Sequence, residues 1–245
     1  MKITSVTNSL IEEILSYKDT KTQKQTNKYL IEGIKMVDLA IKKNVVEMIL
    51  VETKLFEKYK NFENVVEISD NVSKKISDLK TTQSIFAVCK IIKQEDLPGN
   101  YLILDGVQDP GNLGTLIRSA FAFGFKNIIC SNDCVSFYNS KVLRATQSNH
   151  FDLNLKNEEL INFINKLKQR NIIILGTLLR KNSCNLNEIK NKQIALILGN
   201  EGNGISKEVS KTIDKNIIIN TDSELESLNV AIAGSILMNN IYSLK

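Results

Sequence analysis

The chain has 245 residues, 42% of them apolar and 24% charged, and a net charge of +5 at pH 7. This is globular composition and excludes a disordered or collagen-like chain, and no run approaches the roughly 18 apolar residues needed to span a bilayer. The start, MKITSVTNSLIEEILSY, has no apolar signal core and no small-residue cleavage site, so a cytoplasmic protein is expected.

In chain order, residues 8–17 read as a helix opened by Asn8 or Ser9. A polar stretch with Lys18, Lys21, Lys24 and Lys28 follows, and its spacing fits either a helix or a loop. Its ordinary reading is solvated surface; its functional reading is contact with nucleic-acid phosphates, which would carry no sequence information. Residues 28–32 then read as a strand and 34–43 as a helix with Ile34, Val37, Leu39, Ala40 and Ile41 on its apolar face. VVEMILV, ENVVEIS and SIFAVCKII read as three further strands with short helices between them. The segment IIKQEDLPGNY, with Pro98-Gly99-Asn100 as its turn, is the expected boundary between a small α/β domain over 1–95 and a larger one over 100–245.

Beyond it, YLILD, KNIIC, NIIILGTLL, IALILG and NIIIN are short, continuous, mostly β-branched runs, as in strands covered on both faces. Helical patterns lie near 112–124, 139–147, 157–170, 206–214 and 227–242. The alternation implies a doubly wound parallel sheet.

Cys89, Cys130, Cys134 and Cys184 form no C-x-x-C pair, and the single histidine, His150, completes no usual zinc pattern with them, so no metal is expected. A Ser-His-Asp or Cys-His mechanism would need His150 as its base, whereas a lone histidine is ordinarily structural or exposed.

Ligands of open α/β sheets bind beyond the carboxyl ends of the strands. Three loops there carry polar, mostly Gly-rich sequence and run into helices: DGVQDPGNLGT, GNEGNGIS and NTDSELESLN. The expectation is that they converge on one site. The first is neither a Walker loop nor G-x-G-x-x-G, which disfavours a dinucleotide dehydrogenase. Asn112, Thr115 and Ser119, with Arg118 beside them, share a helical face that is either solvated surface or part of a site, and Asn112 stands where it would cap the helix. In the second loop, Glu201 among Gly199, Gly202 and Gly204 disfavours phosphate, because like charges repel, and suits a neutral or cationic ligand or an arginine partner. Ser206 is a ready cap for the helix that follows. In the third, Ser223 or Ser227 would cap the last helix, and Ser223-x-x-Glu226 fits a capping box.

Taken together, DGVQDPGNLGTLIRSAFAFGF, IALILGNEGNGIS and IIINTDSELESLNVAIAGSIL resemble, in order, the three motifs of the SpoU/TrmH family, RNA 2′-O-ribose methyltransferases of the SPOUT class. The likeness covers residues 100–245; the first domain, through Ser5 to Asn8 and YLIEG, more weakly resembles the family's substrate-binding domain. The resemblance implies a deep trefoil knot, S-adenosylmethionine as cofactor and a homodimer with its active site at the interface. It implies catalytic roles for Asn112, Arg118, Glu201, Ser227 and Asn229, with Glu201 holding Arg118 or Arg144. Thr177, Gly199, Asn200, Ile219, Ser227, Leu228 and Asn229 would hold the cofactor, and Arg144, Lys18, Lys21 and Lys24 would meet RNA. Ribosomal RNA is favoured; tRNA, a base methyltransferase and a catalytically silent RNA-binding module are the alternatives. Two departures stand out: Arg144-Ala145-Thr146-Gln147-Ser148-Asn149 lacks the glycine of the family's R-A-S-x-G-A, and Asn220 replaces a frequent proline.

Overall fold

A computed structural model of the chain describes residues 2–92, 95–178, 186–222 and 228–244. It divides into two compact units, one formed by Met1–Ile92 with Tyr138–Phe151, the other by Lys93–Phe137 with Asp152–Lys245.

The first unit runs β1 (Lys2–Ile3), α1 (Ser9–Ser16), α2 (Thr20–Thr26), β2 (Lys28–Glu32), α3 (Ile34–Lys42), β3 (Val46–Glu52), α4 (Thr53–Tyr59), β4 (Val65–Ile68), α5 (Asp70–Ile76) and β5 (Ile85–Lys90). Asn8 caps α1, its Oδ1 accepting from the amide of Leu10 at 3.0 Å. The lysine-bearing stretch is helical: Asp19 caps α2 through the amide of Thr22, and left-handed Asn27 (φ 54°) ends it. The sheet order is β1-β4-β3-β5-β2, with β5 antiparallel to both neighbours. Alternation along the strands feeds two cores. Tyr29, Ile31, Ile49, Val51, Ile85 and Ala87 pack with Met36, Val37 and Ala40 of α3. Leu30, Leu50, Ile68 and Phe86 pack with Ile11 and Ile14 of α1 and Val72 and Ile76 of α5.

The segment Tyr138–Phe151 also belongs to this unit, although sequence continuity assigns it to the second domain. It carries α7 (Ser140–Thr146), whose Leu143 is 2% exposed within the first unit's core. The Tyr138 ring stands 4.3 Å from that of Tyr29. His150 is buried, its Nδ1 3.1 Å from Thr146 Oγ1 and its ring edge-on to Tyr29, so it is a packing residue. At the turn where the family's glycine is missing, Gln147 and Ser148 themselves take left-handed φ angles of 49° and 74°. The turn is retained, at the steric cost a Cβ carries there.

The second unit contains β6 (Asn100–Leu104), α6 (Pro110–Ala122), β7 (Phe125–Cys130), β8 (Asn154–Asn157), α8 (Leu160–Gln169), β9 (Ile173–Gly176), β10 (Ile194–Leu198), α9 (Lys207–Ser210), β11 (Lys215–Asn216) and α10 (Val230–Tyr242). All strand pairings are parallel, in the order β11-β9-β10-β6-β7-β8. Tyr101, Ile103, Ile129, Ala195 and Ile197 pack on one face with α8 and with Val209 of α9. On the other, α10 lies so close to β10 and α6 that a Cβ on Gly234 would come within 2.5 Å of both Leu116 and Leu198. The expected doubly wound parallel sheet is therefore present.

Two runs end earlier than their periodicity suggests. NIIIN reads as a full strand, but β11 stops at Asn216. Asp214 accepts from the Ile174 N–H just before the strand begins, the Asn216 side-chain oxygen accepts from the Leu178 N–H where it ends, and Ile218 is 37% exposed. The helix expected over 206–214 closes after Ser210, although Ser206 caps it through the amide of Val209 as expected.

Among the described residues no helix is long and apolar enough to cross a membrane, and no three His, Cys, Asp or Glu side chains are grouped to hold a metal ion.

Candidate active site

The first and second loops leave the adjacent parallel strands β6 and β10 at their carboxyl ends, and the third feeds α10. Asn112 ties them together. Its Nδ2 donates to Glu201 Oε1 at 2.8 Å, and its Oδ1 accepts from Asn229 Nδ2 at 3.0 Å. Convergence of the three loops thus follows from one amide that donates in one direction and accepts in the other.

Local sequence chemistry sets this alignment. Asp109, rather than Asn112, caps α6: its Oδ1 accepts from the Asn112 amide at 2.8 Å, and Pro110 starts the helix where no donor is needed. The Asn112 side chain is thereby released into the site. Asn229 caps α10, its Oδ1 accepting from the amides of Ala231 and Ile232, and this fixes which end of its amide faces Asn112. Ser223, Glu226 and Ser227, read from sequence as cap and capping-box residues and, for Ser227, as a site residue, lie outside the described residues.

Among the described residues Glu201 meets no arginine. Its hydrogen-bond partner is Asn112, and Arg118 is exposed with no acidic partner among the described residues. Six residues of helix carry Arg118 about 9 Å along α6 from the turn that Glu201 reaches. Arg144 belongs to the first unit, where its charge, with Lys18 and Ser140, helps hold the Asp78 carboxyl below its usual range against the opposing effect of burial. Lys18 is itself committed, its Nζ 2.7 Å from Asp78. Lys21 and Lys24 are exposed on α2.

The second loop is a closed turn. Asn200 and Gly204 exchange backbone hydrogen bonds of 2.9 Å, and Asn200 Oδ1 accepts from the amides of Gly202 and Asn203. A Cβ on Gly199 would lie 2.1 Å from the Gly204 carbonyl carbon, so this glycine is demanded by the turn's own backbone. Gly204 has φ +66° and open space where a Cβ would stand. Thr177, Ile219 and Leu228 are half-buried.

The turn after β6 is held by residues that motif reading did not single out. Asp105 accepts from the Ser206 amide at 2.8 Å. The amides of Gly106 and Val107 donate to Ser131 Oγ at 2.9 Å and Cys134 Sγ at 3.2 Å. A hydrogen bond with Cys130, aided by Ser131 and these amides, outweighs burial and brings the Cys134 thiol down to about 7, while burial pushes Cys130 well up. These contacts join positions 105, 131 and 134, each unremarkable in its own stretch of chain. The readable signal nearby was the Asp109-Pro110 pair, a cap followed by a first helical residue.

Known proteins are similar to this chain over nearly its whole length. The SpoU rRNA Methylase family matches residues 99–239, and the MRM3-like substrate binding domain matches residues 8–87. The chain is 32% identical over 242 residues to the 23S rRNA (guanosine(2553)-2'-O)-methyltransferase RlmP of Bacillus subtilis, covering 97% of each. It is similar to the AdoMet-bound rRNA methyltransferase of Sinorhizobium meliloti, with TM-score 0.87, 25% identity and coverage of 99% of this chain and 97% of that one. A putative RNA methyltransferase of the TrmH family from Porphyromonas gingivalis gives TM-score 0.83 at 26% identity, covering 96% and 97%. With its motifs on one hydrogen-bonded site and a family match across more than half its length, this chain belongs to the SpoU rRNA methylase family.

Proposed function

We propose that this protein transfers a methyl group from S-adenosylmethionine to a ribose 2′-hydroxyl of RNA, and that its substrate is 23S ribosomal RNA. The observation that carries the reading is the chain of hydrogen bonds Glu201–Asn112–Asn229 across the three loops of a SpoU-family domain. The ribosomal substrate is supported by the near full-length likeness to RlmP. Such a substrate belongs to the cytoplasm.

The residues present fit the cofactor. Glu201 has no cationic partner among the described residues, which suits a sulfonium and repels phosphate, and half-buried Ile219 and Leu228 offer apolar cover for a nucleoside. Thr177, Gly199, Ile219, Ser227, Leu228 and Asn229 would hold it, on a turn that the Asn200 side chain shapes. When bound, the cofactor supplies an electrophilic methyl group on sulfur, so the protein's task is to position and desolvate the accepting hydroxyl. The family reading adds a deep trefoil knot; insertion of β10 between β9 and β6 supports it.

Arg118 is exposed and has no acidic partner among the described residues, which suits it to bind an RNA phosphate and orient the neighbouring 2′-hydroxyl. A guanidinium gives up no proton within a protein, so it binds and orients and does not serve as the base. Asn112, its amide direction fixed by Glu201 and Asn229, offers one further N–H and one lone pair to the ribose. Exposed Lys21 and Lys24 and half-buried Arg144 of the first unit supply phosphate contacts; Lys18, already paired with Asp78, contributes less. The protein acts as a homodimer, a reading supported by Ile232 and Tyr242 on α10, 53% and 45% exposed.

The test incubates the protein with methyl-labelled cofactor and RNA from cells lacking its gene, then digests the RNA to nucleosides for mass spectrometry. The expected label is a 2′-O-methylnucleoside from 23S rRNA. Label on a base, label only in tRNA, or cofactor binding with no transfer would each replace the reading with one of its rivals.

A further inference from the structure

We infer that Asn200 is a positioning residue that joins the glycine turn after β10 to the turn leading into α6, making the placement of Asn112 and Arg118 depend on the loop that holds the cofactor. The inference deepens the proposed function and rests on it for the assignment of the glycine turn to the cofactor.

The Asn200 side chain faces two ways. Its Oδ1 accepts from the amides of Gly202 at 2.9 Å and Asn203 at 3.0 Å, shaping the glycine turn. Its Nδ2 donates to the carbonyl oxygen of Gly106 at 2.8 Å, on the other loop. On its far side, the Gly106 amide donates to Ser131 Oγ. The peptide units around Gly106 are therefore held between Asn200 and the loop after β7. Gly106 sits at φ +74°, with Asp133 Oδ2 3.2 Å and Asn200 Cβ 3.6 Å from where its own Cβ would be. This left-handed residue, three positions before the Asp109 cap, sets the direction in which α6 begins. With these bonds made, the Asn200 amide has one N–H left, so its assignment as a direct cofactor contact gives way to that of a brace between two loops.

The two halves of the amide can be separated. Asn200→Asp keeps an oxygen for the amides of Gly202 and Asn203 but replaces the donor to Gly106 with a carboxylate oxygen that repels the carbonyl. Asn200→Ala removes both halves. Each variant is examined by hydrogen exchange over 104–109 and 200–205, by calorimetric titration with S-adenosylmethionine, and by steady-state methylation. For Asn200→Asp the expected result is faster exchange over 104–109 only, a cofactor Kd within about threefold of wild type, and a kcat lower by roughly tenfold, the scale of one lost buried hydrogen bond. For Asn200→Ala both segments exchange faster and the Kd rises roughly tenfold. Equal losses of Kd and kcat in the two variants, or an undisturbed 104–109 segment in Asn200→Asp, would overturn the inference. If the exchange pattern appears as expected while the wild type binds no cofactor, the brace stands and the cofactor assignment of the loop fails.

Discussion

Replacing Asp96 with asparagine tests how the second unit holds the chain where it enters. Asp96 Oδ2 accepts from Arg170 at 2.7 Å and Tyr101 at 2.9 Å, and its Oδ1 accepts from Lys156 at 2.9 Å. The next residue, Leu97, exchanges two hydrogen bonds of 2.8 Å with the side chain of the buried Asn127. Burial disfavours ionisation of Asp96, but the hydrogen bonds from Lys156, Arg170 and Tyr101 outweigh it and hold the carboxyl down at about 2. A carboxylate lowered from about 4 to about 2 is worth roughly 2.5 kcal/mol at neutral pH. The side chain is 24% exposed, so solvent reduces this to about 1–2 kcal/mol. The sign follows from the lowered value: the stabilisation is complete above the unfolded-state pKa near 4 and disappears as pH falls toward 2. In urea unfolding, Asp96→Asn should lose about 1–2 kcal/mol at pH 7 and draw level with wild type toward pH 2. An equal deficit at both pH values, or none at pH 7, would refute the electrostatic argument.

Three further outcomes follow from the same packing. Gly234→Leu forces a side chain into the contact of α10 with Leu116 and Leu198 and should lower thermal stability by at least about 1–3 kcal/mol; an unchanged Tm would mean that α10 does not pack as described. Cys134 should react with iodoacetamide with a midpoint near pH 7, ahead of buried Cys89 and Cys130, as read by mass spectrometry of the labelled peptides; equal labelling would contradict the lowered thiol. Ser148→Val should destabilise by about 1 kcal/mol or more while Ser148→Gly does not, since only glycine occupies φ 74° without strain; the reverse order would count against the left-handed turn.

Strands buried on both faces are legible as unbroken apolar runs, which is why β6, β7, β9 and β10 stand where the sequence places them. β8 gives no such signal. Its sequence is NLKN, and it is buried at Asn154 because that amide bonds to Asn127 and lies near Asp96. The helix α7 is legible locally, but its choice of unit depends on Leu143, Tyr138 and Phe151 meeting a core built far away in sequence. In the site, glycines and polar residues at strand ends mark the loops correctly. Pairing charges by residue type matched Glu201 to an arginine; among the described residues the rotation and start of α6, set by Asp109 and Pro110, present Asn112 to it.

The central claim is that three loops aim a ribose hydroxyl with Arg118 as the guide. Mapping 2′-O-methylations across total RNA from cells lacking the gene, and from the same cells given back the wild-type or Arg118→Ala gene, tests it most directly. The account predicts that a 23S rRNA ribose methylation is lost on deletion, restored by the wild type and not by Arg118→Ala, although the purified variant still binds S-adenosylmethionine. An unchanged methylation map, or full restoration by Arg118→Ala, would contradict it.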